Sequence, residues 1–340
     1  MRALVTGGAG FIGSAVTRAL LAAGHEVVVL LEPDADDRAT SRMPVERATA
    51  DLRDAASVRR AVAGCTSVFH VAALYRFWAR DRRDFYAVNV GGTRNVLAAA
   101  RDAGVARLVY TSTVGTLGLD HGRPANELDY PDVSHLFGSY KRSKYVAEHE
   151  VLRAAAEGLP VTLVLPTTPL GPGDGAPTPT GRIVLDFLNG RMPGYVDTVL
   201  NVVHVDDVAR GHLLAHERGA IGRSYIVGGE NLSLRQLLGA LATRTGLPHP
   251  RIRVPRAAAL AAAVVSDTVQ GRLLHRPPRI PLEAARMATT RMAFDDTRAR
   301  GELGYAPRPA VEAIDDSARW FVDNGYVTPP RAARITWLPE

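Results

Sequence analysis

The feature that most constrains the fold of this chain is its first 23 residues, where an apolar strand pattern precedes closely spaced glycines and a helix pattern. Ala3 to Val5 has the composition of a buried strand, and Ser14 to Ala23 has helical periodicity. Between them, glycine recurs at every third position, at Gly7, Gly10 and Gly13. Such a turn lets backbone N–H groups approach a pyrophosphate, and the helix N-terminus adds partial positive charge. The pattern therefore predicts a dinucleotide-binding unit rather than an ordinary tight turn.

Strand and helix patterns continue to alternate after this unit. Later strand candidates are His25 to Leu31, Ser67 to Val71, Arg107 to Thr111 and Val161 to Leu165. Helix patterns separate them, among them Ala55 to Ala63, Val90 to Ala103 and Tyr140 to Ala156. Alternation of this kind predicts a parallel sheet with helices on both faces. We therefore expect an α/β fold with a Rossmann-type, doubly wound parallel sheet.

The pattern changes at a loop rich in glycine and proline, residues 171–181. We expect a dinucleotide-binding Rossmann domain over residues 1–170, to which segments near 201–227 return, and a smaller α-rich lobe over 171–340 that binds substrate. In this lobe, Arg256 to Val265 is almost entirely alanine, leucine and valine. It is too short to span a bilayer, and we predict a buried helix, with interfacial membrane contact as the alternative.

Charge is unevenly distributed along the chain. The net charge is +6, and residues 250–293 contain eight arginines and only two acids, Asp267 and Glu283. The remainder has 33 basic and 33 acidic residues and is neutral overall. A local cationic segment indicates an anionic partner, such as a phosphate-bearing substrate, a membrane surface or another subunit, or else a solvated surface. Because no aromatic residues or known binding motif accompany it, we do not expect nucleic acid binding.

The composition is that of an ordinary globular protein rather than a disordered one, with 46% hydrophobic and 22% charged residues. The single cysteine, Cys65, excludes an internal disulfide and suggests a reducing compartment. The first strand begins within two residues of Met1, which leaves no room for a signal peptide. We therefore expect a cytoplasmic protein without a transmembrane segment, and we expect no metal site.

The end of the second predicted strand bears on the choice of dinucleotide. Glu32 could accept hydrogen bonds from both ribose hydroxyls and would repel a 2′-phosphate, which favours NAD over NADP. Arg38 and Arg42 are close enough in sequence to bind such a phosphate, so NADP stays open. Asp51, at the end of the third strand, is a candidate acceptor for the adenine amino group. The alternative is that Asp51 merely neighbours a helix N-cap at Asp54.

Two residues spaced four apart on a predicted helix, Tyr140 and Lys144, have side chains on one face. The preceding strand ends in three hydroxyl residues, Thr111 to Thr113, at the sheet edge where ligands bind in open α/β folds. Hydride exchange with a nicotinamide requires a matching proton transfer at oxygen, and a nearby ammonium lowers the pKa of a phenol. We predict Tyr140 as the acid/base, Lys144 as its partner and a ligand of the nicotinamide ribose, and Thr113 as a hydrogen-bond donor to the substrate oxygen.

Together these segments resemble the extended short-chain dehydrogenase/reductases, the NAD-dependent epimerase/dehydratase family, over roughly residues 1–230. The matching motifs are Thr6 through Gly13, Asp51-Leu52, His70 through Ala73, Asn89-Val90, Gly92-Thr93, Thr111 through Thr113, Tyr140 through Lys144 and His204 through Ala209. The resemblance implies the same catalytic residues, with Thr113 where serine is more common. It also implies a homodimer through the helices at 90–103 and 140–156. The cofactor contacts it implies are Gly7, Gly10, Phe11, Ile12, Gly13, Glu32, Asp51, Leu52, Val71, Ala72, Ala73, Tyr140, Lys144, Pro166 and Thr167.

Within the family, the chain most resembles the hopanoid-associated sugar epimerase group, whose members are similar to dihydroflavonol 4-reductases. That group usually has arginine at the position of Glu32. Nucleotide-sugar epimerases usually carry Arg-Tyr-Phe-Asn after the sixth strand, whereas this chain has Leu165 through Pro169, which is more similar to the reductase and hydroxysteroid dehydrogenase branch. The substrate contacts implied by this resemblance are Tyr75, Phe77, Trp78, Thr168 and Arg182.

These motifs predict an NAD(P)-dependent oxidoreductase or epimerase that acts on a small-molecule secondary alcohol or its ketone. An epimerase would keep its cofactor and use the same residues twice, whereas a reductase would release oxidised cofactor at each turnover. A redox-inactive dinucleotide-binding protein is the third alternative, and the complete set of Thr113, Tyr140 and Lys144 argues against it.

Overall fold

An all-parallel sheet is the framework of the fold in the computed structural model, which describes residues 1–76, 78–79, 81–119, 122–274, 276–278, 281–288 and 290–338. Over these ranges its seven strands are β1 (Arg2–Thr6), β2 (Glu26–Leu31), β3 (Glu46–Thr49), β4 (Ser67–His70), β5 (Arg107–Thr111), β6 (Val161–Pro166) and β10 (Ser224–Val227). They lie in the order β10-β6-β5-β4-β1-β2-β3. The chain reverses its direction of winding between β1 and β4, so a crevice opens at their carboxyl ends. This topology confirms the predicted doubly wound α/β fold.

Alternating side chains in the strands bury both faces of this sheet. In β1, Leu4 packs into the core on one face and Val5 into the core on the other, and both are fully buried. Helices α1 (Phe11–Ala22) and α7 (Val205–Arg218) cover the Val5 face. The Leu4 face is covered by α2 (Ala55–Val62), α4 (Thr93–Asp102) and α5 (Ser139–Ala156). A short helix, α3 (Arg83–Tyr86), leads into the segment before α4.

The helix predicted from Val90 to Ala103 differs at its start, because a π-helical stretch, Ala87–Gly92, precedes α4. The wider turn buries Asn89, whose Oδ1 accepts from the Leu74 N–H at 2.7 Å and whose Nδ2 donates to Ser143 Oγ at 2.9 Å. Gly92 packs directly on Leu52, which is buried. The π-helical stretch thus connects α5 to the loop that follows β4.

The C-terminal half adds smaller sheets and a layer of helices. Strands β7 (Thr168–Leu170), β9 (Val199–His204) and β11 (Glu230–Ser233) form one small sheet, and β8 (Gly194–Val196) pairs with β12 (Ile252–Val254). The helices are α6 (Gly181–Leu188), α8 (Leu234–Thr245), α9 (Arg256–Ser266), α10 (Leu282–Ala288), α11 (Ala310–Asp323) and α12 (Pro329–Ala332). Strand β10 lies beside β6, so a segment beyond residue 201 belongs to the main sheet.

The prediction that Arg256 to Val265 forms a buried helix is wrong in one respect. The segment is helical, but within α9, whose residues are all described, only Ala263 is buried. Helix α9 packs against α10 along one side and leaves the opposite side uncovered. The apolar residues of α9 itself occupy almost its whole circumference. The sequence pattern therefore could not indicate which sides of the helix other parts of the fold would cover. In the part of the chain that the structure describes, no helix is long and apolar enough to cross a membrane.

Candidate active site

The glycine turn between β1 and α1 is too tightly packed for side chains. A Cβ atom on Gly7, which has φ +66°, would lie 2.8 Å from Ala72 Cα, and one on Gly13 would overlap the Gly7 carbonyl oxygen. Gly10 is the N-cap of α1, which has no side-chain cap and no acidic residue in its first turn. The N–H groups of Phe11 and Ile12 at this helix end have no partner within the helix. This close backbone approach with free amide donors fits a dinucleotide pyrophosphate.

A buried hydrogen-bond chain fixes the segment Val71 to Ala73, which faces the glycine turn. Thr6 Oγ1 bonds to His70 Nδ1 at 2.8 Å, and His70 Nε2 bonds to Thr93 Oγ1 at 3.0 Å. Thr6 Oγ1 also accepts from the Ala72 N–H at 3.1 Å. Burial lowers the pKa of His70 to about 3, so the imidazole is neutral at physiological pH. The backbone beside the predicted cofactor position is therefore held rigidly.

The predicted adenosine end lies beyond β2 and β3. Glu32 is exposed, and the half-buried Asp51 carboxylate binds the Arg53 guanidinium at 2.6 Å, which lowers the pKa of Asp51. Asp54 is the N-cap of α2, as the alternative interpretation of Asp51 expected. Arg38 forms an ion pair with a neighbouring carboxylate. The sequence analysis missed Arg53, a cation that interacts with both Asp51 and Glu32. The sequence feature that could have identified Arg53 is its position two residues after Asp51.

The hydroxyl groups of Tyr140 and Thr113 lie near each other beyond the carboxyl end of β5. Tyr140 lies in the first turn of α5, and Thr113 Oγ1 also accepts from the Gly115 N–H at 3.1 Å. Burial, and next the neighbouring Tyr75, raise the pKa of Tyr140 above that of a free phenol, whereas the nearby Thr113 hydroxyl opposes this. We expected a lowered pKa, but burial outweighs the other contributions.

Lys144, one helical turn after Tyr140 on α5, is buried and has its own partners. Its Nζ donates to Tyr110 Oη at 2.8 Å and to the Thr111 carbonyl oxygen at 2.7 Å, and it lies 4.3 Å from the centre of the Tyr110 ring. Burial lowers the pKa of Lys144 to about 7, although the nearby Glu148 carboxylate favours its charged form. Lys144 therefore titrates near neutral pH, and hydrogen bonds to residues of β5 hold its ammonium in place.

Aromatic side chains after β4 form one wall beside Tyr140. The Tyr75 ring centre lies 4.8 Å from the Tyr140 ring centre, so this predicted substrate residue adjoins the predicted acid/base. Trp78 is half-buried, and its indole Nε1 packs against Gly271, in the π-helical stretch Asp267–Leu273 that follows α9. The C-terminal lobe therefore contacts the loop that carries the predicted substrate residues.

The other predicted ligand contacts are spread over β6, β7 and α6. Pro166 ends β6, and the Oγ1 atom of Thr167 is buried without a hydrogen-bond partner in the described structure, as expected of an atom that binds a ligand. Thr168 is buried in β7, whereas Arg182 is exposed in the first turn of α6. Phe77 lies outside the described residues.

A carboxylate from the C-terminal lobe, Glu283 on α10, also reaches this site. Its side chain lies directly on Gly138, the N-cap of α5, and its Oε1 atom is buried without a hydrogen-bond partner among the described residues. Burial raises the pKa of Glu283 to about 7, while Lys141 favours the charged form. Glu283 also contributes to the raised pKa of Tyr140. The sequence analysis named Glu283 only as one of two acids among eight arginines. Its isolation among cationic residues is the sequence feature that could have identified it.

A sequence model described as the NAD dependent epimerase/dehydratase family matches residues 3–228. A Synechocystis sp. protein named after dihydroflavonol 4-reductase is 42% identical over 328 residues, which cover 95% of each chain. Sterol demethylase protein B of Methylococcus capsulatus is 36% identical over 328 residues, which cover 96% of this chain and 100% of the relative.

Among solved structures, the crystal structure of gox2253 superimposes with a TM-score of 0.85 at 43% sequence identity. The match covers 96% of this chain and 99% of that chain. The likeness therefore extends beyond the sheet and includes the C-terminal lobe.

Proposed function

Because the chain belongs to the NAD dependent epimerase/dehydratase family, we propose that it is a nicotinamide-dependent reductase that interconverts a ketone and a secondary alcohol. Family membership confirms the predicted resemblance, and with it the expectation of an enzyme with a nicotinamide cofactor. The observation that carries the finer proposal is the proximity of the Tyr140 and Thr113 hydroxyls at the edge of β5, beside the buried Lys144. Two hydroxyls held together there can bind one carbonyl oxygen.

The protonation state of Tyr140 favours the reductive direction. A phenol whose pKa is raised by burial remains protonated at neutral pH and can donate its proton to a substrate oxygen. Thr113 would hold that oxygen by a second hydrogen bond. Bound nicotinamide would supply the hydride that reduces the carbonyl carbon. Burial would exclude competing water from the proton transfer.

Lys144 would be a ligand of the cofactor ribose. Within the described residues, two of its three ammonium donors are used by Tyr110 and Thr111, which leaves one for a ligand. After reduction, the Lys144 ammonium would supply a proton to restore the Tyr140 hydroxyl and would itself be reprotonated from solvent. A lysine with a pKa near 7 suits proton exchange at neutral pH.

The dinucleotide would lie across the carboxyl edge of the sheet, with its pyrophosphate on the glycine turn, Phe11 and Ile12. Val71 to Ala73 would line the middle of the site. Glu32 and Asp51 would accept hydrogen bonds from the adenosine, which favours NAD. Arg53 is the residue that could accommodate a 2′-phosphate, since its guanidinium already binds one carboxylate and interacts with a second.

The substrate would be a cyclic, largely apolar ketone that carries a hydroxyl or another hydrogen-bond donor. Tyr75 and Trp78 provide aromatic surface beside Tyr140, and the open Oε1 atom of Glu283 provides an acceptor. The names of the two relatives refer to a sterol and to dihydroflavonol, and both are ring compounds. In this proposal Glu283 of the C-terminal lobe shares substrate recognition with Tyr75 and Trp78, and the proton transfer belongs to residues within 1–170.

The family also contains epimerases, which retain their cofactor, and one experiment separates the two reactions. Purified protein would be assayed for NADH and NADPH oxidation with a panel of cyclic ketones that includes steroids, flavanones and nucleotide-activated keto sugars. We expect stoichiometric oxidation of NADH with an apolar ketone. Protein that keeps nicotinamide through gel filtration, and interconverts sugar epimers without net consumption of cofactor, would contradict the reductase proposal.

A further inference from the structure

The outward side of α9 and of the π-helical stretch Asp267–Leu273 is an uncovered apolar surface. Its exposed side chains include Val265, which is 62% exposed, and Leu273, which is 71% exposed. Leu274 follows at 57%. The other exposed members of this surface are Ala257, Ala258, Ala261, Ala262, Val264 and Val269. We call these residues the α9 face.

Isolated exposed apolar residues are ordinary on protein surfaces, but this set is contiguous. Between Arg256 and Asp267 the sequence contains no charged residue. On a helix, residues three and four apart lie side by side, so the exposed alanines and valines join into one stripe. Continuous apolar stripes on soluble proteins mark surfaces that contact a partner or a membrane.

Cationic residues lie at both ends of the α9 face. Arg251 and Arg256 precede the stripe and Arg276 follows it, and all are exposed. Arg253 is also exposed but pairs with Asp197. The two acids of this segment add little outward negative charge, because Asp267 is half-buried and Glu283 faces the Gly138 end of α5. The surface therefore combines an apolar centre with positive ends.

The same segment adjoins the candidate active site from the other side. Gly271 packs on Trp78, and α10, which packs against α9, brings Glu283 to Gly138 beside Tyr140. The segment that carries the α9 face therefore also contacts the aromatic wall of the site. An apolar compound that leaves a bilayer at the α9 face would therefore enter near Tyr75 and Trp78.

We propose that the α9 face docks the enzyme on the surface of an anionic lipid bilayer. The valines and leucines enter the boundary between headgroups and acyl chains, and the flanking arginines bind lipid phosphates. A second copy of this chain is a poorer occupant, because a two-fold contact would bring the same arginines of both copies together. Charge complementarity instead favours an anionic membrane surface. This inference concerns binding and does not require the proposed reductase reaction.

The test uses the full-length protein and flotation with vesicles of phosphatidylcholine, either alone or with about one-third phosphatidylglycerol. We expect binding to the anionic vesicles only, and a decrease of about tenfold or more when salt is raised from 0.1 M to 0.5 M, since salt screens the arginines. A Val265→Glu/Leu273→Glu double variant should partition at least about tenfold more weakly, because charged side chains must then enter the apolar layer.

The matched control is Ile221→Glu, an exposed isoleucine in the turn before β10 and outside the α9 face. This variant should bind vesicles as the wild type does. Circular dichroism and nicotinamide affinity should be the same for all variants, which would separate docking from folding. The proposal is overturned if the wild type does not bind anionic vesicles at 0.1 M salt, or if the double variant binds equally well. It is also overturned if light scattering shows that the double variant only dissociates a dimer, with vesicle binding unchanged.

Discussion

Helices α1 and α9 are similar in length and composition but have opposite environments. Helix α1 has 12 residues and α9 has 11, and both are rich in alanine and branched apolar residues. Six residues of α1 are buried against the sheet, whereas α9 buries only Ala263. The difference lies in what surrounds each helix: α1 packs between β1, β2 and α7, whereas among the described residues α9 packs mainly on α10 and on the π-helical stretch that follows it. Apolar composition therefore predicts a contact surface, and the surrounding fold decides whether protein covers it.

The most direct test of this difference in burial is to truncate one apolar side chain in each helix. Leu20→Ala in α1 should lower the free energy of unfolding by about 2–5 kcal/mol, because Leu20 is fully buried and its removal leaves a cavity. Val265→Ala in α9 should change it by less than about 0.5 kcal/mol, because Val265 is 62% exposed. Chemical denaturation monitored by circular dichroism measures both values. Equal losses would mean that α9 is covered in solution.

The N-terminus of α1 offers a second contrast, between a glycine in the turn proposed to bind the cofactor and one in an open position. A Cβ on Gly13 would overlap the Gly7 carbonyl oxygen, whereas one on Gly301 meets nothing within 4 Å. Gly13→Ala should therefore weaken NADH binding about ten- to a hundredfold, because the turn must open to relieve the overlap. Gly301→Ala should bind NADH as the wild type does. Fluorescence titration gives both affinities, and unchanged binding in Gly13→Ala would remove the turn from the cofactor site.

The contribution of the C-terminal lobe to the site is tested at Glu283. Glu283→Gln should raise KM for the ketone about tenfold with little effect on kcat, because a charged acceptor is lost but the proton donor remains. In the wild type, KM should rise below about pH 7 as the Glu283 carboxylate is protonated, and this dependence should disappear in the variant. The exposed Glu312 provides the control, Glu312→Gln. If both variants keep the wild-type KM and pH profile, Glu283 does not contact substrate.

The buried Lys144 should make stability depend on pH, unlike the exposed arginines around α9. Its folded pKa is lowered by burial to about 7, so between pH 7 and 9 the unfolded chain binds a proton that the folded chain does not. The free energy of unfolding should therefore rise with pH in this window, with a slope of up to about 1.4 kcal/mol per pH unit from this group. Lys144→Met should show a smaller slope in urea denaturation at pH 7, 8 and 9. The same slope in both proteins would contradict the buried position of the ammonium.

Local patterns were sufficient to predict a doubly wound parallel sheet and most of its strands. The strand predicted from Arg107 to Thr111 has the observed bounds of β5. A short apolar run between residues that interrupt secondary structure is compatible with few structures other than a buried strand. The burial of α9 was predicted wrongly, since it depends on the partners of the helix and not on its own residues. The π-helical stretch Ala87–Gly92 was also missed, because its sequence continues the helical pattern.

For the candidate site, the sequence identified residues whose roles depend on local spacing. Tyr140 and Lys144 are one helical turn apart, and Thr113 follows a strand, so each could be placed from its neighbours alone. Glu283 could not, because 143 positions separate it from Tyr140 and only packing of α10 on α5 brings them together. The partners of Lys144 were missed for a similar reason: Tyr110 and Thr111 face it across the boundary between strand and helix.

The central claim is that Tyr140 donates the proton in ketone reduction, and its most direct test is the turnover of Tyr140→Phe compared with Tyr145→Phe. Tyr145 lies on the same helix, five residues further on, where its ring packs at a tilt against the His149 ring. We predict that Tyr140→Phe lowers kcat at least about a hundredfold while NADH affinity stays nearly unchanged, and that Tyr145→Phe retains wild-type turnover. Undiminished turnover in Tyr140→Phe would contradict the account.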